Sequence, residues 1–399
     1  MDSFLLPTRR QIREVHELLF DKECWEQFPI EQIYFALKEY RFEDFPDLIP
    51  HLTTEQINVL VCLNCWNVDQ FEPVSFTEII SVCLTSVDAM AALIKNVDAL
   101  FLSRYLVQYV GFKIFEEKQD YLEIENAFTV DQGYTWLWIR AEDPDEELVV
   151  RGLIEFLRSV PQKLFELLSI AASETPTTLE EKSFNEKNRI FSIFGLPDYD
   201  LAKELTSGVI LSGSYDFEFS ESDLVSQDHP GLFHPLNQIV ERIVVGSELK
   251  KEFVDFLRNL VFSVCMIFRV DFRDQENIKK IEEFCLATMN VGVQKAISAG
   301  ETLDDFRDLT NLRIAFQVGL HDILFFFRKF KSVDAASWEP ELRYVVESIQ
   351  NFPPKLPKFF FSKGLISSDN RYKTDLEPIS RLSQLKALKV LLENAKRAS

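Results

Sequence analysis

Apolar residues near the start of the chain recur at helical spacing, and the helices that they predict come in a repeating order. From Ile12 to Leu19, apolar side chains return every three or four positions, which places them on one side of a helix. The segment TTEQINVLVCL, residues 53–63, has the same periodicity, and its threonines are typical helix-capping residues. A Cys-Trp pair follows each of these helices, with the tryptophans at Trp25 and Trp66.

A further helix follows each Cys-Trp pair, so the order helix, Cys-Trp, helix occurs twice with a spacing of 41 residues. Repeats of about 40–47 residues built from two or three helices are typical of right-handed α-solenoids of the HEAT type. A tryptophan between stacked helices fills the space as a large apolar plug. We therefore predict a helical-repeat domain over residues 1–118, with Trp25 and Trp66 as equivalent buried plugs.

Residues 119–147 have a different pattern and are predicted to form an irregular or hairpin connector. Tyr134, Trp136 and Trp138 alternate with other residues at the period of two that is typical of a strand. The alternation predicts a short hairpin or extended insertion, and the entrance to a helix is the alternative. The acidic run EDPDEE at 142–147 is typical of a helix start, where carboxylates are favoured.

A second helical domain is predicted for residues 148–399. Residues 249–272 are apolar on nearly all sides and predict a central, buried helix. Residues 207–237 are rich in Ser, Asp, Gly and Pro, which predicts a long loop. Residues 378–398 combine a leucine stripe with basic residues and predict an amphipathic C-terminal helix. The predicted fold class is mostly α, a helical-repeat part followed by a helical bundle, with at most a small hairpin.

The net charge of the chain indicates which classes of partner it can bind. The formal net charge of −21 argues against nucleic acid, because binding to nucleic acid depends on cations that neutralise phosphates. The charge is also uneven, since residues 355–399 carry ten Lys/Arg and four Asp/Glu, which leaves −27 on the remainder. Opposite charge and the leucine stripe both favour docking of the C-terminal helix on the acidic body.

Hydropathy and cysteine usage favour a cytoplasmic protein without stable membrane insertion. The longest apolar run, residues 260–268, has nine residues, whereas a helix needs about 20 to cross a bilayer. The N-terminal residues contain no apolar run of signal-peptide length. The six cysteines lie in apolar or helical contexts, which is not the pattern of a disulfide framework.

The motif Cys62-x-x-Cys65 is the closest approach to a metal or redox site. A zinc site needs two more ligands, for which Cys83 and His51 are the nearest candidates, and no second Cys-x-x-Cys occurs. A thioredoxin-like pair would follow a strand, whereas this pair ends an amphipathic helix. We interpret both cysteines as packing residues and expect no metal and no cofactor.

The predicted 207–237 loop contains the first candidate binding group, Asp228, His229 and His234. Carboxylate and imidazole groups together can hold a divalent cation or transfer protons. The alternative interpretation is turn chemistry in a surface loop.

Gly292 and Gly319 each interrupt an apolar helical pattern, and a glycine within a helix costs about 1 kcal/mol relative to alanine. A close crossing of the two helices at their glycines would compensate this cost. Polar residues at i and i+4 spacing flank both glycines, and they would meet in a buried network or pocket if the glycines face each other. These residues form the second candidate binding group: Asn290, Gln294, Gln317 and His321.

The motifs that identify common enzyme classes are absent from the sequence. There is no Walker A motif, no glycine-rich dinucleotide fingerprint, no Gly-x-Ser-x-Gly and no His-Glu-x-x-His. No catalytic residue is therefore predicted.

Four segments resemble successive blocks of a bacterial family catalogued only as a domain of unknown function. The family's blocks have a Gly-Phe-Pro-like corner, an Asn-Leu-Gly-Leu-Glu-like stretch and a Phe-Arg-x-Gly-like stretch, and in this chain Gln294 replaces the acid and Gln317 replaces the base. The four segments are RIFSIFGLPDYDLAKEL (189–205), LRNLVFSVCMIFRVDF (257–272), ATMNVGVQKAISAGE (287–301) and RIAFQVGLHDIL (313–324).

The N-terminal 110 residues, with LIPHLTTEQINVLV, are similar to the helical repeats in the cytosolic N-domain of MgtE-type magnesium transporters. The two resemblances imply an all-helical soluble protein and bring no known activity.

We expect a cytoplasmic, non-enzymatic interaction or scaffold protein whose helical repeats bind a protein or peptide partner. The alternative is a regulatory domain that senses a divalent cation or a small ligand. An enzyme is a third possibility, but it lacks a constellation of catalytic residues. The identity of the partner and the oligomeric state are not encoded in any pattern that we recognise.

Overall fold

A computed structural model describes residues 4–7, 9–18, 30–39, 45–67, 69–120, 123–208, 235–244, 247–336, 338, 340–357 and 376–398. Contacts within the chain define two compact units. The N-terminal unit is Leu6–Asp198, and the C-terminal unit is Tyr199–Ser399 together with Met1–Leu5.

The N-terminal unit is mostly helical, with two small antiparallel sheets. A short 3-10 helix, Ile49–His51, follows α3. The elements in chain order are α1 (Arg9–Leu18), α2 (Ile30–Glu39), α3 (Phe45–Leu48), α4 (Thr54–Cys65), β1 (Trp66–Asn67), β2 (Gln70–Phe71), α5 (Pro73–Cys83), α6 (Val87–Asn96), α7 (Ala99–Tyr109), β3 (Val110–Ile114), β4 (Phe128–Thr129), β5 (Thr135–Ile139), α8 (Pro144–Ser159), α9 (Pro161–Ser173) and α10 (Pro176–Ile193).

Side-chain caps fix where several of these helices begin. Thr53 accepts a hydrogen bond from the Gln56 amide, and the Gln56 side chain accepts one from the Thr53 amide, which is a complete capping box. Ser86, Asp98 and Asp143 cap α6, α7 and α8, and in each case the side-chain oxygen accepts a hydrogen bond from a backbone amide of the first turn. These caps satisfy backbone donors that a helix start would otherwise leave unpaired.

The connector between α7 and α8 is a three-stranded antiparallel sheet with the order β3-β5-β4. Val110 pairs with Ile139 and Ile114 pairs with Thr135, so all five residues of β3 lie opposite β5. The alternation of aromatic residues at 134–138 is therefore strand structure, and the alternative of a helix entrance does not apply to it.

The predicted domain boundaries near residues 118 and 147 do not coincide with the division into units. Helix α10 packs against α4 and α7, and α8 packs against α5. These contacts join residues 148–198 to the preceding helices.

The C-terminal unit is a helical assembly with one two-stranded sheet. A 3-10 helix, Leu303–Arg307, precedes α15. The elements are α11 (Tyr199–Thr206), α12 (Leu236–Val244), α13 (Ser247–Phe268), α14 (Gln275–Ser298), α15 (Leu309–Lys331), α16 (Pro340–Gln350), β6 (Lys355–Pro357), β7 (Leu376–Pro378) and α17 (Leu382–Ala398).

Helices α13, α14 and α15 supply the core of this unit. Helix α13 packs against α11, α12 and α14, and its apolar half from Leu257 to Met266 is largely buried. This is the central position that its apolar sequence predicts. The mostly α-helical fold class is confirmed, with sheets of only two or three strands in the described chain. In that part of the chain, no helix combines the length and apolar character needed to cross a bilayer.

Helices α14 and α15 cross at Gly292 and Gly319. A Cβ atom added at Gly292 would lie 1.7 Å from the carbonyl oxygen of Ala315, and one added at Gly319 would lie 2.0 Å from that of Thr288. Only glycine allows the two backbones to approach this closely, because any side chain would overlap the opposite main chain.

The C-terminal helix α17 lies against α14 and α15. Its stripe residues Leu385, Leu388 and Leu392 are buried, as is Ile379 just before the helix. This is the docked arrangement that the leucine stripe and the charge predict.

We expect the substitution Gly292→Ala to lower the free energy of unfolding by about 1–3 kcal/mol, because the new methyl group must push two backbones apart. Equilibrium urea denaturation measures the change. Gly152→Ala in α8 is the matched control, since its Cβ would meet only the methyl groups of Leu84. Alanine is the better helix former, so the control should be neutral or stabilising. An unchanged midpoint for Gly292→Ala would contradict the close crossing.

Candidate functional site

The polar residues beside Gly292 hold the chain that leads into α17. The Asn290 amide nitrogen donates to the Ser380 carbonyl (2.7 Å), and its oxygen accepts from the Leu236 amide (2.9 Å). The Gln294 side chain donates to the same Ser380 carbonyl (3.3 Å) and accepts from the Leu382 amide (3.0 Å). Both side chains therefore satisfy main-chain groups of neighbouring segments.

The polar residues beside Gly319 contact a different segment. The Gln317 amide donates to the Glu204 carbonyl at the end of α11 (2.9 Å). His321 lies 3.3 Å from Asp322, whose carboxylate also binds Lys295 at 2.7 Å. The structure thus brings the two glycines together, but the two polar pairs bind different parts of the chain, and their hydrogen bonds support the fold.

Asp228, His229 and His234 lie outside the described residues, and so does Trp25. The candidate loop site and the equivalence of the two tryptophans therefore stay predictions.

Trp66 is fully buried and packs against α7 and α10 of the N-terminal unit, but it is the first residue of the short strand β1, not part of the purely helical corner that the repeat predicts. Its indole makes edge contacts with Phe71 and Phe101, with ring centroids 5.5 and 6.1 Å apart. The Arg104 guanidinium lies 5.5 Å from the same ring, and so does the Lys187 ammonium. One indole therefore interacts with two cations, which is the geometry of cation–π attraction.

Lys187 is 1% exposed and lies among aromatic rings. Its Nζ is 4.6 Å from the Phe184 ring centroid and 5.2 Å from that of Phe191. Burial lowers the pKa of Lys187 to about 8, while electrostatic interactions with Cys62 and Asp69 oppose this shift. The amine therefore changes its charge near neutral pH, which is unusual for a lysine.

The cysteines of the Cys62-x-x-Cys65 motif are buried thiols that are not joined in a disulfide. Burial raises the pKa of the Cys62 thiol well above its usual range, and the nearby Lys187 only partly opposes this. A buried thiol with a raised pKa is a poor nucleophile and a poor metal ligand. No group of three or more His, Cys, Asp or Glu side chains able to hold a metal ion occurs in the described ranges.

A different part of the N-terminal unit exposes the residue types found at protein interfaces. Ile114 is 53% exposed and Phe112 is half-buried on one face of the sheet, while Tyr134 is 46% exposed and Trp138 is half-buried on the opposite face. The Arg140 guanidinium lies 5.6 Å from the Trp138 ring. We name this set, Phe112, Ile114, Tyr134, Trp138 and Arg140, the edge surface.

Gly111 permits the close approach of Trp138 to β3. A Cβ at Gly111 would lie 2.1 Å from the Trp138 ring. The ring therefore covers the middle of β3 on one face of the sheet, and Arg140 stacks on it at the margin.

A groove of about 100 Å³ lies beside the first half of β3. One wall comes from α7 and β3, the other from the junction of α9 and α10, and one basic and one acidic residue also line it. The lining residues are Val107, Val110, Phe112, Arg140, Ala171, Glu174, Pro176 and Leu179.

Sequence reasoning found the aromatic strand at 134–138 but assigned it no role, and it did not identify β3. The alternation of Val110, Phe112 and Ile114 was the available signal. For Lys187 the signal was weak: Phe184 and Phe191 lie at i−3 and i+4, but the segment around it, EEKSFNEKNRI, otherwise has the composition of an exposed helix.

The lowered pKa of Lys187 predicts a specific pH dependence of stability. Between pH 8 and pH 10.5 the unfolded chain keeps a proton on this amine that the folded chain has lost, so folding becomes more favourable as the pH rises. Lys187→Met has no titrating amine at this position, so its free energy of unfolding lacks this rise. The free energy of unfolding of the wild type should therefore increase by about 3 kcal/mol relative to that of Lys187→Met across this window.

Urea denaturation of both proteins at several pH values gives their free energies of unfolding. Subtracting one from the other removes the contribution of the cysteines and tyrosines, which titrate in both proteins. Lys182→Met is the control, since the Lys182 ammonium lies at the surface of the same helix. A wild-type-to-variant difference that stays constant from pH 7.5 to 11 would show that Lys187 titrates normally.

Comparison with known proteins gives one match. The model of a family described as a family of unknown function, DUF6178, matches residues 22–342. A search of curated proteins and a search of solved structures each returned no match. The matched range covers both units and most of the chain, and the chain therefore belongs to the DUF6178 family of unknown function.

Proposed function

We propose that this protein is a cytoplasmic, non-enzymatic interaction protein that binds a protein partner through the edge surface. The supporting observation is the concentration of exposed or half-buried apolar and aromatic side chains around one strand, β3. Tyr, Trp and Arg are the residues that most often dominate binding energy at protein interfaces, and this surface has one of each.

The surroundings of the edge surface also have the character of an interface. A groove lined by aliphatic residues together with Arg140 and Glu174 adjoins it, and exposed charged residues border both. A partner that lies along β3 reaches the apolar side chains on both faces of the sheet, and apolar residues bordered by polar ones are the usual composition of a protein–protein contact. A partner that covers Ile114 and Tyr134 would remove apolar area from water, which favours association by about 25 cal/mol for each Å² buried.

Two further features support the compartment and the partner class. The five described cysteines are buried thiols outside any disulfide, which suits a reducing compartment such as the cytoplasm. The net charge of −21 favours a protein partner over nucleic acid.

A regulatory domain that senses a cation or a small ligand is the second candidate, and the resemblance of the N-terminal residues to MgtE-type N-domains is what favours it. The polar side chains at the glycine crossing bind main-chain groups of the chain itself. A cation would therefore have to be bound by the other candidate group, Asp228, His229 and His234 of residues 207–237. A rise in melting temperature with Mg²⁺ or Ca²⁺ would support it.

The proposal is tested by placing a photo-crosslinking amino acid at Tyr134 and identifying the adduct in the native host. The partner is then purified, and its affinity for the wild type is compared with that for Tyr134→Asp. A charge within the contact should weaken binding by at least about 1.4 kcal/mol, which is tenfold in Kd.

Leu148→Asp is the matched control, because Leu148 is a highly exposed apolar residue of the same unit outside the edge surface. It should leave the affinity unchanged. Equal binding of the partner to the wild type and to Tyr134→Asp would place the contact elsewhere.

A further inference from the structure

The hydrogen bonds between β3 and β5 show to which side of β3 each main-chain group points. The Arg140 amide donates to the Tyr109 carbonyl (2.7 Å), and the Phe115 amide donates to the Tyr134 carbonyl (2.8 Å). In an antiparallel pair the bonded residues alternate, so residues 111 and 113 also direct their N–H and C=O groups toward β5. Phe112 and Ile114 direct theirs to the other side.

Strand β3 is at the edge of the sheet, since β5 is its neighbour on one side and the described residues place no strand on the other. The Val110 amide is used by the end of α7, where it donates to the Leu106 carbonyl. The amides of Phe112 and Ile114, and the carbonyls of all three outward-facing residues, are therefore oriented to pair with an added strand. An edge of this kind is a template for pairing with another chain.

We infer that β3 binds an extended, Lys/Arg-rich segment of a partner protein by β-strand addition. This inference rests on the proposed function and names its mode of recognition and its partner class. Main-chain hydrogen bonds would supply affinity, and alternate side chains of the segment would point to the two faces of the sheet.

The groove selects an apolar side chain on one face. A residue of the added strand beside Phe112 points either into the groove or over Lys113 and Trp138, because successive side chains alternate. The groove walls contain Val107, Leu179 and Pro176 beside the charged Arg140 and Glu174, so an aliphatic side chain can pack against the apolar part of the lining. One apolar anchor is therefore expected in the bound segment.

Charge selects the remaining side chains. Residues 107–147, which contain the sheet and its flanking segments, carry eleven Asp/Glu and only three Lys/Arg. A net charge of −8 around the edge attracts a basic segment and repels an acidic one. The same charge disfavours a second copy of this chain, because pairing of two β3 strands would bring two such regions together.

A random peptide library displayed on phage tests the inference with the full-length protein. We expect the selected peptides to alternate, with an apolar residue at a fixed position and Lys or Arg around it. Binding should weaken as salt is raised. Selection of acidic peptides, or of none that binds the wild type above background, would overturn the inference.

Two substitutions at one position separate strand addition from side-chain contact. Ile114→Pro and Ile114→Thr both remove the isoleucine side chain, but only proline removes the outward amide donor. Proline is tolerated on edge strands, so the sheet should persist. Ile114→Pro should weaken the selected peptide about tenfold more than Ile114→Thr does, and equal losses would reject strand addition.

Modified peptides give the same answer without any change in the protein. Methylation of one backbone amide at a time along the selected peptide should abolish binding at every second residue and be tolerated at the residues between. Binding insensitive to methylation, or lost at consecutive positions, would rule out a paired strand.

If the partner found by crosslinking depends on Tyr134 but binds normally to Ile114→Pro, the proposed function holds and this mode of recognition fails.

Discussion

A buried backbone N–H or C=O group needs a hydrogen-bond partner, and this requirement organises both units of the protein. In the C-terminal unit the buried Glu282 carboxylate accepts from the amides of Phe4 and Leu5, at 2.7 and 3.4 Å, which ties the start of the chain to α14. Gln384 accepts from the amides of Ser380 and Arg381. Buried polar side chains thus hold the irregular segments, whose backbones have no helix or sheet to pair with.

The glycine crossing determines where such side chains are required. Because α14 and α15 meet backbone to backbone at Gly292 and Gly319, the residues on either side of the contact face other segments. Asn290 and Gln294 bind the chain before α17, and Gln317 binds the end of α11. Residues that look like a binding pocket in the sequence serve as connectors between segments, and their removal would leave buried main-chain groups unpaired.

The outer side of β3 is the exception to this rule. Its outward amides and carbonyls lie beside the exposed Ile114 side chain and the groove lined by aliphatic and charged residues, where no strand of the described residues pairs with them. Proteins usually protect such edges with charge or proline. Here the strand has one lysine and no proline, and the acidic residues lie on its flanks. This combination favours pairing with a basic strand and opposes self-association.

Local sequence determined the elements of this protein: the caps at Thr53, Asp98 and Asp143, the apolar periodicity of the helices and the alternation of the aromatic strand all act over a few residues. It also indicated the glycine crossing, because an unexplained glycine in a helix needs a compensating contact. Phe184 and Phe191 lie three and four residues from Lys187 on the same helix, but only the tertiary structure buried its amine and added the ring of Trp66, far away in the chain. Likewise, β3 became an edge through the order β3-β5-β4, which depends on pairing between strands and not on the residues within any one of them.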